Sequence, residues 1–266
     1  MSSFGLLGLT VAAPLGSLIA VFWGLRETML FSAVPVGLAL GIIFTLKEHP
    51  PQKAIKNLPE GQKNNPKPSY WHIMKTGLRN YRTNHDLRRL TWDMLAIATA
   101  SYFIIWTYQL RLASVNVPLV YFGLVHMGML IVQIVVLNTL PRIEKRLKTK
   151  KYLLQVTALF TGIGFLACAI FDQLPGILFG IFLTAAFGLS RGILMANVLN
   201  RKIPSEQRAT MLSVVNMFRR LTLMVLNPFM GMMIEKNLLF VLVLLGACTI
   251  AWSIFTPLRE KYLTPD

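Results

Sequence analysis

Residues 187–236 read FGLSRGILMANVLNRKIPSEQRATMLSVVNMFRRLTLMVLNPFMGMMIEK. An apolar stretch that begins upstream, at 174, ends here and is followed by a short basic connection built on Pro204 and Arg208. A second apolar stretch then runs to about 233. Each is long enough to cross a hydrocarbon core of about 30 Å as a helix. The first carries Arg191; the second carries Asn216, Arg219, Arg220 and Asn227. A charged side chain at the bilayer centre costs roughly 2.5–3.5 kcal/mol even on the lenient insertion scale. Each arginine therefore calls for a partner, water or a ligand, and the two stretches read as transmembrane helices whose polar groups turn inward.

The rest of the chain agrees. Hydrophobic residues make up 54% of the 266 and charged residues only 14%, with a mean hydropathy of +0.55, which no ordinary soluble domain shows. Apolar runs of membrane-crossing length recur at about 5–23, 28–46, 91–110, 118–140, 152–171, 174–199, 209–233 and 237–257. The fold class is an all-α polytopic membrane protein with eight transmembrane helices.

The net charge of +16 would point a soluble protein toward nucleic acid, but its distribution excludes that partner. Of the 27 Lys and Arg, 21 fall in alternate connections, at 47–89, 142–151, 201–208 and 259–261. Arg26, Arg111 and Lys236 lie on the other side, and Arg191, Arg219 and Arg220 lie within spans. By the positive-inside rule the basic loops and both termini are cytosolic, and Trp23, Trp92, Trp106 and Trp252 sit near span ends, where an interfacial belt places them.

The first span begins without a basic anchor. The segment GLLGLTVAAPLGSLIA at 5–20 reads as an internal helix packing through small residues, with further helices expected upstream. Residues 47–68 carry five prolines among Lys, Gln and Asn and read as a solvated linker. Trp71, Met74, Leu78 and Tyr81 then recur at helical spacing with Lys75, Arg79 and Arg82 between them, the pattern of an amphipathic helix on an anionic membrane face. Cys168 and Cys248 have no partner spacing and read as small packing residues.

Polar residues inside the spans form stripes. Thr99, Tyr102, Trp106 and Gln109 recur at intervals of 3, 4 and 3; His126 and Gln133 are seven apart; Ser213, Asn216, Arg220 and Asn227 follow at 3, 4 and 7. Each set shares one helix face, directed to a cavity or to hydrogen bonds between helices. Asp93 is the only acid in the cytosolic half of a span and is a candidate charge partner for these arginines. The four histidines, at 49, 72, 85 and 126, lack ligand spacing. With no phosphate-binding glycine loop and no facing carboxylates, no enzyme, metal or cofactor chemistry is expected.

The charged segment Pro141, Arg142, Glu144, Lys145, Arg146, Lys150 and Lys151 resembles the cytosolic turn of the major facilitator superfamily between the second and third helices of a half. Arg208-Ala-Thr-Met-Leu-Ser213, then Arg220, Asn227-Pro228, Gly231 and Glu235, is similar to that family's eleventh helix, and Ala13, Pro14 and Gly16 resemble its fifth in degenerate form. The resemblance covers helices 5–12 of twelve, with the first four absent.

It implies residues 1–46 as the end of an N-terminal half, 47–89 as the central linker with an interfacial helix, 90–258 as a six-helix C-terminal half and 259–266 as a tail. It further implies secondary transport of a small solute by alternating access in the cell membrane. Tyr102, Trp106, Gln109, His126, Gln133, Arg191, Asn216 and Arg220 would then be cavity residues, with Asp93 as a charge partner, and Arg142, Glu144, Arg146 and Lys150 would form a gating turn. The arginines favour an anionic solute. The alternative is a membrane fragment or subunit without transport of its own, completed by a separate N-terminal portion.

Overall fold

The computed structural model describes residues 3–45, 70–147, 149–203 and 208–256. The proline-rich linker, the 204–207 connection and the C-terminal tail lie outside the described residues. Among the described residues every element is helical, and eight helical units are long and apolar enough to cross a membrane.

Spans one and two are α1 (Ser3–Phe22) and α2 (Leu25–Thr45). They are joined by a turn at Gly24, whose φ of 103° suits a residue without Cβ. The amphipathic α3 (Tyr70–Thr83) precedes span three, which is built of α4 (His85–Tyr102) and α5 (Ile104–Ser114). Span four is α6 (Val120–Leu147) and span five is α7 (Lys150–Ile170). Span six runs from α8 (Leu174–Thr184) through a π-helical turn at Ala185–Leu189 into α9 (Ser190–Lys202). Spans seven and eight are α10 (Arg208–Lys236) and α11 (Leu238–Phe255).

Two boundaries differ from those read in the sequence. Span three starts six residues early, because the Asn84 side chain caps it by accepting the Leu87 N–H at 2.9 Å. The charged segment after Pro141 is not a loop. Helix α6 continues through it to Leu147 and α7 begins at Lys150, so Arg142, Glu144 and Arg146 belong to the last turns of a helix.

Small residues set the packing. Helix α7 lies between α11 and α8. A Cβ on Gly162 would stand 2.8 Å from the Gly246 carbonyl, and one on Gly180 would stand 2.7 Å from the Gly164 carbonyl. Gly162 and Gly164 are two residues apart, about 200° round a helix, so α7 offers a glycine to each neighbour and both backbones approach closely. Gly123 does the same for α1 and α6: a Cβ there would lie 2.5 Å from Ser17 Oγ and fall on the Ala13 carbonyl.

Two apolar clusters divide the interior between the membrane faces. One gathers Ile104, Tyr108, Phe165, Ile177 and Val241; the other, nearer the basic connections, gathers Leu90, Leu154, Met195, Met211 and Val214. Helix α3 docks onto the second. Its Tyr81 ring lies 5.0 Å from that of Phe218, and a Cβ on Gly77 would meet the Thr210 methyl at 2.6 Å, while Lys75, Arg79 and Arg82 stay exposed. The amphipathic helix expected on the membrane face thus also rests on span seven. Helix α2 buries no residue, and α10 buries only Met211, Val214, Val215 and Met230.

Candidate functional site

Spans three and six are both interrupted. At Phe103 the N–H reaches back to the Ala100 carbonyl at 3.2 Å, a tightened turn that separates α4 from α5. Ser101 Oγ donates to the Ile97 carbonyl at 2.7 Å and Thr107 Oγ1 to the Phe103 carbonyl at 2.9 Å. Hydroxyls that bond back to the preceding turn bend helices, and here they flank the break. The π-turn of span six sits opposite: a Cβ on Gly188 would fall on the Ser101 hydroxyl and stand 2.9 Å from Ser101 Cβ. The two irregular segments meet where neither backbone is a regular helix.

Toward the basic connections, four helices converge on Asp93, which is fully buried. Arg191 of α9 donates Nη2 to Asp93 Oδ2 at 2.5 Å. On the other oxygen, Trp252 Nε1 of α11 donates at 2.9 Å and Thr256 Oγ1 at 3.0 Å. Arg191 also donates to the Leu154 carbonyl of α7, and to Thr157 Oγ1 at 3.1 Å. Its Nε has no partner among the described residues. With 1% of its surface exposed, Arg191 is enclosed between helices and its charge is answered by Asp93. A second buried arginine, Arg111 of α5, anchors the opposite end. It donates to the Cys168 carbonyl at 2.9 Å, the Phe171 carbonyl at 2.8 Å and Asp172 Oδ1 at 2.9 Å.

The stripe on span three divides at the break. Thr99, before it, is buried and its Oγ1 has no partner among the described residues. Tyr102 is half-buried, whereas Trp106 and Gln109 are exposed. Gln109 Nε2 donates to the Tyr108 hydroxyl at 3.3 Å, and the Tyr108 ring lies 5.8 Å from His126 of α6. Tyr108 thus links two predicted residues, although it lies off the stripe and its sequence position gave no sign of this. Gln133 is buried, and its carbonyl accepts from Ser190 Oγ at 3.4 Å.

Ser213, Asn216 and Arg220 line an open groove of about 920 Å³ along α10, together with apolar residues that include Leu212, Met217 and Met224. None of the three makes a side-chain hydrogen bond or ion pair among the described residues, and Arg219 is not among the residues that line the groove. The eight predicted cavity residues therefore form no single cluster. Gln109 and His126 are linked through Tyr108, Tyr102 lies half-buried and Trp106 exposed on span three, Gln133 and Arg191 are enclosed, and Asn216 and Arg220 line the α10 groove.

A family model, the Major Facilitator Superfamily, matches residues 1–226. The chain belongs to the major facilitator superfamily. The family's members are transporters, so the eight apolar helices are those of a multi-pass membrane protein whose partners are the lipid bilayer and a small solute. No curated protein and no solved structure matches the chain.

Proposed function

We propose that the chain carries a small solute across the cell membrane as a secondary transporter working by alternating access, with its basic connections and both ends in the cytosol. Spans three and six supply the moving elements, and Tyr102, Trp106, Gln109 and His126 with the α10 stripe supply the solute contacts. The observation that carries this reading is the meeting of the Phe103 break with the π-turn at Ser101 and Gly188. Alternation needs two arrangements of the same packed helices, and segments freed from regular helical bonding can absorb the change in backbone angles. Beside this hinge the Asp93 cluster ties α4, α7, α9 and α11 into one unit, so that motion falls on the halves of spans three and six beyond it. The test is saturable uptake of labelled solutes into vesicles containing the chain. Uptake that Gly188→Ala slows supports the proposal, and linear, unsaturable leakage overturns it.

A second reading follows from the uncovered polar face of α10 and from α2, which buries nothing. In it the chain is a membrane subunit whose cavity is closed by helices of another chain, an N-terminal transporter portion. Uptake that arises only when such a portion is co-reconstituted supports this reading over the first.

A further inference from the structure

Among the arginines of the spans, Arg220 has the least explained position. It lies twelve residues into a helix of 29, ~18 Å from the start of α10 at 1.5 Å per residue, where neither aqueous interface is within easy reach of snorkelling. Arg191 and Arg111 each have a carboxylate. Arg220 has none among the described residues, and it lines a groove with two further donors, Ser213 and Asn216, three and four residues apart on one helix face. The remaining lining is apolar and includes Leu212, Leu221 and two methionines, Met217 and Met224, whose flexible thioethers fit irregular ligands.

Among the described residues no acid faces this place. The carboxylate of Asp93 is taken by Arg191, Trp252 and Thr256. Glu27, Asp172 and Glu235 sit at helix ends or in connections, away from mid-membrane. A second copy seated on the groove would bring its own Arg220 and no free acid at that depth. A phospholipid headgroup stays at the interface, roughly 15 Å from the bilayer midplane. Under the transport reading, in which this chain alone carries the solute, a mobile anion with an apolar body complements the groove's charge and its apolar lining.

We propose that the α10 groove binds the carboxylate of an amphipathic organic anion, with Arg220 as its counter-charge, Asn216 and Ser213 as hydrogen-bond donors and the methionines against its hydrocarbon part. This names the solute class of the transporter, and it rests on the transport reading above. The guanidinium fork meets a carboxylate through two parallel N–H···O bonds, so charge and geometry both select against amines and amides of equal size.

The test uses the purified chain in phosphatidylcholine nanodiscs with labelled octanoate and benzoate, beside octanamide and octylamine. Saturable binding of a carboxylate is expected, with octanamide and octylamine at least about tenfold weaker. Arg220→Gln should weaken carboxylate binding by at least about tenfold, the scale of a charge-assisted hydrogen bond. Arg220→Lys should fall between, and Arg219→Gln should leave binding unchanged. Should Arg220→Gln fail to fold, Arg220→Lys and Asn216→Ala, checked for unaltered thermal unfolding, carry the same test. No carboxylate binding, equal binding of octanamide, or binding indifferent to Arg220 and Asn216 overturns the proposal. So does a dimer by light scattering that Arg220→Gln converts to monomer, which would make a second copy the occupant. Vesicle flux separates the two layers. Arg220-dependent octanoate binding without accumulation keeps the anion site and removes transport; accumulation of octylamine or octanamide without carboxylate binding keeps transport and removes the anion site.

Discussion

Removing either member of the Asp93–Arg191 pair should destabilise the chain strongly, and removing both should cost much less than the sum. The side chains are 0% and 2% exposed, so each charge lacks water and depends on the other. Breaking a buried pair costs about 3–5 kcal/mol because a charge is left uncompensated, whereas replacing both partners by apolar groups is often close to neutral. Asp93→Ala leaves the guanidinium with only neutral acceptors, the Leu154 carbonyl and Thr157, and belongs at the upper end of that range. Arg191→Met leaves a carboxylate still served by Trp252 and Thr256 and belongs at the lower end. Asp93→Asn keeps the acceptor for those two donors but loses the charge, so it should fall within about 1 kcal/mol of Asp93→Ala if the charge dominates. For Asp93→Ala with Arg191→Met, a coupling of about 3 kcal/mol, the upper end of the range for contacting residues, puts the double variant at about 5 kcal/mol, no worse than Asp93→Ala alone; it stays above neutral because Ala leaves the Trp252 and Thr256 donors without their acceptor. Equilibrium unfolding in mixed micelles, followed by helicity, measures all four variants. Single variants costing under about 1 kcal/mol, the scale of exposed pairs, or a double variant equal to the sum of the singles, would refute the reasoning.

Gly123→Ile should force α1 away from α6, since even a Cβ meets Ala13 and Ser17; spin labels at the exposed Leu9 and Tyr121 should move apart. Arg111→Gln removes three hydrogen bonds to 168–172 and should lower stability by about 1.5–3 kcal/mol. Hydrogen exchange at 171–173 should rise more than elsewhere. Gly188→Ala, which puts a methyl on Ser101, should slow uptake by about tenfold if overpacking adds about 1.4 kcal/mol to the conformational step, and Ser101→Gly in the same chain should restore part of the rate.

The membrane class and the eight spans were legible because hydrocarbon imposes long apolar runs that few other folds require. The importance of Asp93 was legible too, because an acid inside an apolar run calls for a partner, and among the described residues it is fully buried with one. What Asp93 pairs with was not. Arg191 lies 98 residues away, and whether an arginine meets a helix neighbour or a ligand depends on rotation about helix axes, which apolar periodicity near a uniformly greasy surface leaves loose. The interruptions were hidden too. No proline or glycine marks Phe103, and Gly188 alone does not announce a π-turn. In the charged segment the basic residues suggested a loop, but charges near a membrane face are equally at home on a helix that projects beyond it, and α6 does so. Arg111 was read only as lying just past the end of span three; its carboxylate partner, Asp172, is 61 residues further on, and only the fold brings the two together.

Alternating access makes the most direct demand on the molecule: solute must move water access from one membrane face to the other. In a chain with Cys168 and Cys248 replaced, single cysteines at Gln109 and Ser213 probe opposite ends of the spans. Membrane-impermeant thiol reagents applied from each side should label both positions, and a transported solute should raise labelling at one while lowering it at the other. Labelling that rises or falls at both together, or that no solute changes, would contradict a transporter that works by alternation.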